Sequence, residues 1–231
     1  MQNARITYQP LDHIDLTERT YRVLKEKILR GELKPGAQIS APEVALALRV
    51  SRTPVTDALK RLAGEGLVEI LPRQGTFVTE LTARDIAEIF GMRQMIEMYA
   101  AEIVLNAGAA AQFLEAARAP IAAMEQAIDG EQFRDYEAFT SNDREFHTAL
   151  VTLTGNSRLI RAYNHLHVHT HGARVHYLDG DDAQRAQREH QAILQAFERG
   201  SVSEAKEALR VHISSVQTRI LELLEHRGGQ L

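Results

Sequence analysis

Four residues of this 231-residue chain have the types and the spacing that could bind a metal ion. Asp143 and His147 are four positions apart, and on a helix that spacing puts both side chains on one face. His190 and His212 lie in two later segments, each with apolar residues at the neighbouring helical positions, which points them toward a core. A buried imidazole needs a partner for its ring nitrogens. A divalent cation would serve three histidines and a carboxylate together.

Two other interpretations of the same residues stay open. Each histidine taken alone fits an ordinary core position whose ring is satisfied by a hydrogen bond. An Asp–His₃ set could also activate water in a hydrolytic enzyme. The sequence has no H-E-x-x-H segment, no glycine-rich phosphate loop and no compelling general acid or base beside the site, so we predict that the chain is not an enzyme.

The chemistry of the ligand set narrows the choice of metal. The chain has no cysteine, which excludes thiolate sites and disulfides. Imidazole and carboxylate ligands suit a divalent transition metal. Zn²⁺ is our first choice, with Ni²⁺ and Mn²⁺ as alternatives.

A second group of residues could bind a small anion near the metal. Arg93 lies among apolar residues of a helical segment, and an inward arginine needs an anion, either an effector carboxylate or Glu97 one turn on. The tract from His165 to His171 alternates histidine with other residues. It could be a second metal tract, or on a helix one face of it could line a cavity while another face is solvated. The candidate effector-binding residues are Arg93, His169, Arg174 and Tyr177.

These residues need a helical scaffold, and the sequence has a helical pattern from Thr82 onward. Thr82 and Asp85 have the spacing of a capping box, which predicts a first helix there. Glycine-containing breaks separate the later predicted helices, which are roughly 109–128, 131–153, 157–178, 182–199 and 202–226. We therefore predict that residues 81–231 form an all-α antiparallel bundle of six or seven helices, which would hold the candidate metal-binding and anion-binding residues.

The first 80 residues have a different layout. Residues 1–16 lack a clean period and predict a flexible N-terminal arm. Three helices should follow, with Thr17, Ser40 and Ser51 as their caps. Two strands joined by a hairpin are predicted after them, at 67–71 and 76–79. Within residues 17–80 this order is the layout of a winged helix-turn-helix with a β-hairpin wing, whose third helix enters the major groove of DNA. The predicted fold is therefore mainly α.

Polar residues of the third helix and the wing suit contact with DNA. Arg52 could donate to a guanine edge, whereas lysine and arginine farther along suit phosphates. The alternative is a solvated face of an amphipathic helix. The candidate DNA-binding residues are Arg49, Ser51, Arg52, Thr53, Thr56, Lys60, Arg61, Arg73 and Gly75.

The segment from Leu16 to Thr79 resembles the DNA-binding domain of the GntR family of bacterial regulators. The residues that carry the resemblance are GELKPG at 31–36, VSRTPV at 50–55, GLV at 66–68 and RQGTFV at 73–78. The helical remainder is similar to the FCD ligand-binding domain of the FadR subfamily. Metal-binding members of that group have one aspartate and three histidines at matching places. The resemblance implies a homodimeric transcriptional repressor whose affinity for double-stranded operator DNA changes with a small carboxylate.

The chain departs from the family pattern at three positions. The family often has arginine where this chain has Pro42 and Thr56, and usually glycine where it has Arg49. The resemblance therefore implies DNA binding rather than a particular operator, and a helical interaction module without DNA binding is the rival interpretation. No signal peptide and no run of about 18 apolar residues is present, so we expect a cytoplasmic protein without membrane contact.

Overall fold

The computed structural model describes residues 16–129, 132–174 and 180–226, without the side chains of residues 132, 167–174, 180, 223 and 226. The predicted arm at residues 1–16 falls outside these ranges except for Leu16. The helices in these ranges are α1 (Leu16–Leu29), α2 (Ala41–Leu48), α3 (Arg52–Gly64), α4 (Ala83–Asn106), α5 (Ala110–Gln126), α6 (Tyr136–Thr152), α7 (Ser157–Arg174), α8 (Gly180–Glu198) and α9 (Val202–His226). The strands are β1 (Gln38–Ile39), β2 (Val68–Leu71), β3 (Gly75–Val78), β4 (Ile128–Asp129) and β5 (Gln132–Phe133).

Helices α1–α3 and strands β1–β3 form a winged helix-turn-helix, which we call the head. Its core is made of apolar residues at helical spacing, with one face of α1 packed on α3. Strands β2 and β3 pair antiparallel, from Val68 with Val78 to Leu71 with Gly75. The predicted order of three helices and a hairpin is confirmed. Strand β1 was not predicted, because two residues are too short for an alternating pattern; it pairs with the other edge of β3.

The caps of the head differ in part from the prediction. The Ser40 hydroxyl accepts a hydrogen bond from the backbone N–H of Glu43 at the start of α2, as expected. Ser51 occupies the cap position of α3, but its hydroxyl makes no capping hydrogen bond. Thr17 is wrong as a cap, because α1 already begins at Leu16.

Helices α4–α9 form the bundle, which agrees with the predicted all-α architecture. Its main core is apolar, and within it the ring of Phe113 contacts the rings of both Phe146 and Phe197. The predicted helix start at residue 131 is wrong. Gln132 and Phe133 form strand β5, which pairs antiparallel with β4, and α6 begins only at Tyr136. The Asp135 carboxylate caps α6 by accepting a hydrogen bond from the N–H of Ala138.

The head and the bundle are joined by a short link that ends at the capping box of α4. Thr82 and Asp85 exchange side-chain to backbone hydrogen bonds there, as the sequence predicts. Away from the link, Arg30 at the end of α1 forms an ion pair of 3.0 Å with Glu137 on α6.

In the part of the chain that the structure describes, we find no helix with the length and apolar character needed to cross a membrane.

Candidate metal centre and candidate DNA-binding surface

The four predicted metal-binding residues come together inside the bundle. One ligand atom from each lies within 4.8 Å of the ligand atoms of the other three, and all four side chains are buried. The cluster takes its members from three helices: Asp143 and His147 from α6, His190 from α8 and His212 from α9. The i,i+4 spacing on α6 works as predicted, since it puts the carboxylate and the imidazole on the same inward face.

The three imidazoles point the same nitrogen toward the centre of the cluster. The Nε2 atom of His147 lies 3.1 Å from Nε2 of His212 and 3.4 Å from Nε2 of His190. The Oδ1 atom of Asp143 lies 3.4 Å from Nε2 of His190 and 3.9 Å from Nε2 of His147. Three ring nitrogens and one carboxylate oxygen therefore face one small volume.

The other nitrogen of each ring, Nδ1, faces a side-chain oxygen. His147 Nδ1 lies 2.7 Å from Glu97 Oε2, and His212 Nδ1 lies 2.9 Å from Glu189 Oε2. His190 Nδ1 lies 3.2 Å from Oε1 of Gln187, whose amide nitrogen donates to the Ile121 carbonyl. Because an oxygen without a proton accepts, each Nδ1 carries the hydrogen, and in the neutral rings each Nε2 presents a lone pair.

This arrangement fits a divalent cation. Three lone pairs that converge without a proton between them repel one another, and a cation removes that repulsion. Burial, together with His190 and His147, holds the pKa of His212 well below its usual range, so its Nε2 stays unprotonated near neutral pH. Metal-bound histidines commonly donate their outer N–H to an oxygen, as all three rings do in this cluster.

Arg93 is fully buried on α4, and its contacts bear on both alternatives that the sequence left open. Its Nε donates to Oε1 of Glu97 at 2.9 Å, which is the alternative pairing that the sequence left open. Its Nη1 and Nη2 atoms are buried and have no hydrogen-bond partner among the described residues. One of the three guanidinium nitrogens is therefore satisfied internally, and the other two could donate hydrogen bonds to an anion.

Glu97 has three polar partners. Besides Arg93 and His147, it accepts a hydrogen bond of 2.5 Å from the hydroxyl of Tyr163 on α7. Burial alone would raise the pKa of Glu97, but the charge of Arg93 and the hydrogen bonds from His147 and Tyr163 outweigh burial and hold it well below the usual range. Burial and the neighbouring Glu97 raise the pKa of Tyr163, which keeps its proton. Glu97 is therefore an ionised acceptor.

The remaining candidate effector-binding residues cannot be compared with the structure. The side chains of His169 and Arg174 and the whole of Tyr177 lie outside the described residues. The histidine tract from His165 to His171 lies on α7 by its backbone, as the helical alternative requires.

Eight of the nine candidate DNA-binding residues are exposed, and Gly75 is partly exposed. The side chains of Ser51, Arg52, Thr53, Thr56 and Lys60 are exposed at the start and along the outer face of α3. Thr56 donates its hydroxyl hydrogen to the Arg52 carbonyl at 3.0 Å, and Lys60 pairs with Asp57 at 3.2 Å. Both pairings are exposed and weak, so these side chains can exchange them for DNA.

Arg61 has a different environment from Lys60. It forms an ion pair of 2.5 Å with Glu18 on α1, and its guanidinium lies 3.8 Å from the centre of the Tyr21 ring. These contacts hold α1 against α3. Contact between Arg61 and a phosphate would have to compete with them.

Three residues outside α3 depend on unusual backbone conformations. Arg49 follows α2 with φ of 55°, and Arg73 lies at the tip of the wing with φ of 65°, both in the left-handed region. That conformation explains why glycine is favoured where this chain has Arg49. Gly75 has φ of 134°, and a Cβ there would lie 2.6 Å from Nε2 of Gln38, so a side chain would collide with the edge of β1.

Comparison with known proteins agrees with this architecture. The model of the family "Bacterial regulatory proteins, gntR family" matches residues 16–78, and that of the FCD domain matches residues 88–215. The chain is 30% identical over 206 residues to the uncharacterized HTH-type transcriptional regulator YdhC of Bacillus subtilis, covering 89% of this chain and 91% of the relative. It is 28% identical over 143 residues to the gluconate operon transcriptional repressor of Bacillus licheniformis, covering 62% and 57%.

A solved structure of a GntR transcriptional regulator from Rhodococcus sp. RHA1 has a similar fold. Its TM-score is 0.68 at 25% sequence identity, and the match covers 89% of this chain and 97% of that one. The similarity extends over both the head and the bundle.

Proposed function

The chain belongs to the gntR family of bacterial regulatory proteins and carries an FCD domain, and on this premise we propose that it is a metal-containing, carboxylate-responsive repressor. Members of the family are transcriptional regulators, so this chain regulates transcription and is not an enzyme, as its sequence predicts. The gluconate operon relative is a repressor, which supports repression here.

The observation that carries the proposal is the pairing of two sites in one chain. An exposed polar face on α3 suits the major groove, and a buried Asp–His₃ cluster lies in the domain behind it. Asp143, His147, His190 and His212 would hold the metal, which would supply a Lewis-acid anchor for an oxygen of the effector. We propose DNA contact through the exposed residues of α3, with Arg49, Arg73 and Gly75 beside them.

Arg93 supports a carboxylate as the effector. Its two Nη groups have no partner among the described residues, and a planar guanidinium binds a carboxylate through two parallel hydrogen bonds. Glu97 connects it to the cluster, since Oε1 of Glu97 lies 2.9 Å from the Arg93 Nε and Oε2 lies 2.7 Å from Nδ1 of His147. We propose that one anion interacts with both Arg93 and the metal. We propose that His169, Arg174 and Tyr177 complete this site.

We further propose that the protein acts as a homodimer on a palindromic or near-palindromic operator. One recognition helix reads only a few base pairs, and two on a two-fold axis lengthen the site. The apolar side chains of Met92, Met95 and Tyr99 are exposed on α4, where a second copy could cover them. Light scattering that finds only monomer, with and without DNA, would exclude this arrangement.

Coupling between effector and DNA follows from the position of α4. This helix carries Arg93 and begins directly after the link to the head, so a carboxylate that pulls on Arg93 would shift the head. The two recognition helices must match the repeat of DNA, and a small shift would weaken binding. Because Arg93 also holds Glu97, the variant that tests this step is Arg93→Lys, which keeps a charge for Glu97 but loses the bidentate group.

Fluorescence anisotropy with the gene's own upstream DNA tests the proposal. We expect tighter binding to the upstream DNA than to scrambled DNA. One carboxylate from a panel of organic acids should weaken the DNA affinity of the metal-loaded protein by about 5–150-fold. Arg93→Lys should still bind the upstream DNA, but the carboxylate should no longer weaken that binding. Equal affinity for upstream and scrambled DNA would exclude a specific repressor, and an unchanged response of Arg93→Lys would assign Arg93 a purely structural role.

A further inference from the structure

The buried charges around the cluster are arranged as two similar chains of contacts. From these contacts we infer that Glu97 and Glu189 are positioning residues for the metal, each held by a buried arginine and each fixing one histidine so that its Nε2 faces the ion. We call the two chains of contacts the α4 relay (Arg93, Glu97, His147) and the α8–α9 relay (Arg219, Glu189, His212). The inference rests on the proposed metal centre and extends it to residues that do not touch the ion.

In the α4 relay, one carboxylate connects a cation to a ring. Glu97 uses Oε1 for the Arg93 Nε at 2.9 Å and for the Tyr163 hydroxyl, and Oε2 for the His147 Nδ1 at 2.7 Å. The side chains of Arg93, Glu97 and His147 are all completely buried. Because each Glu97 oxygen has its own partner, the carboxylate cannot rotate without breaking a bond.

The α8–α9 relay repeats this design with residues from other helices. Glu189 uses Oε2 for the His212 Nδ1 at 2.9 Å, and its Oε1 lies 3.7 Å from Nη1 of Arg219. Arg219 is buried between α8 and α9, where it also contacts Asp182 at 3.2 Å and Ser215. As in the first relay, the carboxylate has a ring on one oxygen and a guanidinium on the other.

His190 provides an internal contrast. The oxygen on its Nδ1 belongs to Gln187, an uncharged side chain, at the longer distance of 3.2 Å. The chain therefore places a carboxylate behind two of its three imidazoles and an amide behind the third. A packing role alone would not require charge at Glu97 and Glu189, since Gln187 fills the equivalent place without it.

An ionised oxygen behind a metal-bound imidazole has two physical effects. It accepts the outer N–H strongly, which fixes the tautomer and the orientation of the ring, and it raises the electron density that Nε2 offers to the ion. Loss of such an outer partner typically weakens metal binding about 10–100-fold. The two arginines place a positive charge beside each carboxylate, fully buried at Glu97 and partly buried at Glu189.

Glu189→Gln is the most informative variant. Glutamine keeps the shape and an oxygen for His212, and Asp182 remains to pair with Arg219, so the fold should survive. Its matched control is Glu198→Gln, a change of the same type on the exposed face of α8. Glu97→Gln tests the other relay, with Glu88→Gln on the outer face of α4 as its control.

The experiment measures the Zn²⁺ dissociation constant of the full-length protein by competition with a chromophoric chelator, and the melting temperature with and without Zn²⁺. We expect Glu189→Gln and Glu97→Gln to bind Zn²⁺ about 10–100-fold more weakly, and the controls to match the wild type. The rise in melting temperature caused by Zn²⁺ should shrink in the two relay variants.

The possible failures are distinguishable. A wild-type protein that takes up no Zn²⁺, Ni²⁺ or Mn²⁺ overturns the metal centre and the relays with it. If the wild type binds Zn²⁺ and a folded Glu189→Gln variant binds it with the same dissociation constant, the relays alone are overturned. A variant that melts lower without metal but keeps its Zn²⁺ affinity assigns the carboxylate to stability, and this also overturns the inference.

Discussion

The head and the bundle use arginine in opposite ways. Arg52 at the start of α3 is exposed, and Arg93 on α4 is completely buried and bonded to Glu97. An exposed charge contributes little to folding and is available to a partner, whereas a buried charge depends on the groups around it. The comparison teaches that the head can change its exposed side chains at small cost to the fold, whereas the bundle cannot change its buried charges in the same way.

The largest effect should come from the buried arginine. Arg93→Ala leaves the Glu97 carboxylate in the core without its cationic partner, and we expect a loss of about 3–5 kcal/mol in the free energy of unfolding. Urea unfolding of the metal-free protein measures it. Arg84→Ala, which removes an exposed ion pair of the same i,i+4 spacing on the same helix, is the control and should cost far less. Equal losses in the two variants would remove the contrast.

The next effect concerns the metal. A ligand that binds only the folded protein stabilises it by about 2.7 kcal/mol when present at 100 times its dissociation constant. We expect this gain for wild-type protein with Zn²⁺ and almost none for His190→Ala, because the alanine variant lacks one ligand of the cluster. Thermal unfolding with and without Zn²⁺ provides the test, and a gain that persists in His190→Ala would place the ion elsewhere.

A smaller effect on binding, with almost none on folding, is expected in the head. Arg52→Ala should weaken operator binding by about 1–3 kcal/mol if its side chain reads a base edge. Lys60→Ala is the matched comparison, since it should weaken binding to all sequences alike and lower the salt dependence by about one ion. Anisotropy titrations at several salt concentrations separate the two. An unchanged operator preference in Arg52→Ala would show that α3 does not recognise the operator through this residue.

The smallest effect lies between the two regions. Arg30 and Glu137 pair across the head and the bundle, and both side chains are about half exposed or more. Such a pair contributes about 0.2–1 kcal/mol. A double-mutant cycle with Arg30→Ala and Glu137→Gln measures its coupling energy in unfolding. A coupling well above this range would mean that the ion pair holds the domains rigidly.

Local patterns allowed much of this structure to be predicted. The i,i+4 pair of Asp143 and His147 depends only on helical geometry, and the capping box at Thr82 depends only on neighbouring residues. The inward direction of His190 and His212 followed from apolar neighbours on the same helices. The resemblance to a family then indicated that these side chains meet.

Contacts between distant segments could not be predicted in the same way. Glu189 precedes His190 in the sequence, yet its carboxylate contacts His212, 23 residues away on another helix. A charged residue at such a position is usually solvated, so the sequence contains no signal for its role. Arg61 is a similar case, because its contacts with Glu18 and Tyr21 depend on how α1 packs on α3.

The most direct test of the central claim is the metal content of the purified protein. Elemental analysis of wild-type protein prepared without chelators should find about one equivalent of a divalent transition metal per chain, or titration should restore it after removal. His147→Ala should hold far less, because its ring nitrogen faces those of both other histidines. Less than about a tenth of an equivalent in the wild type, with no uptake on titration, would contradict the account.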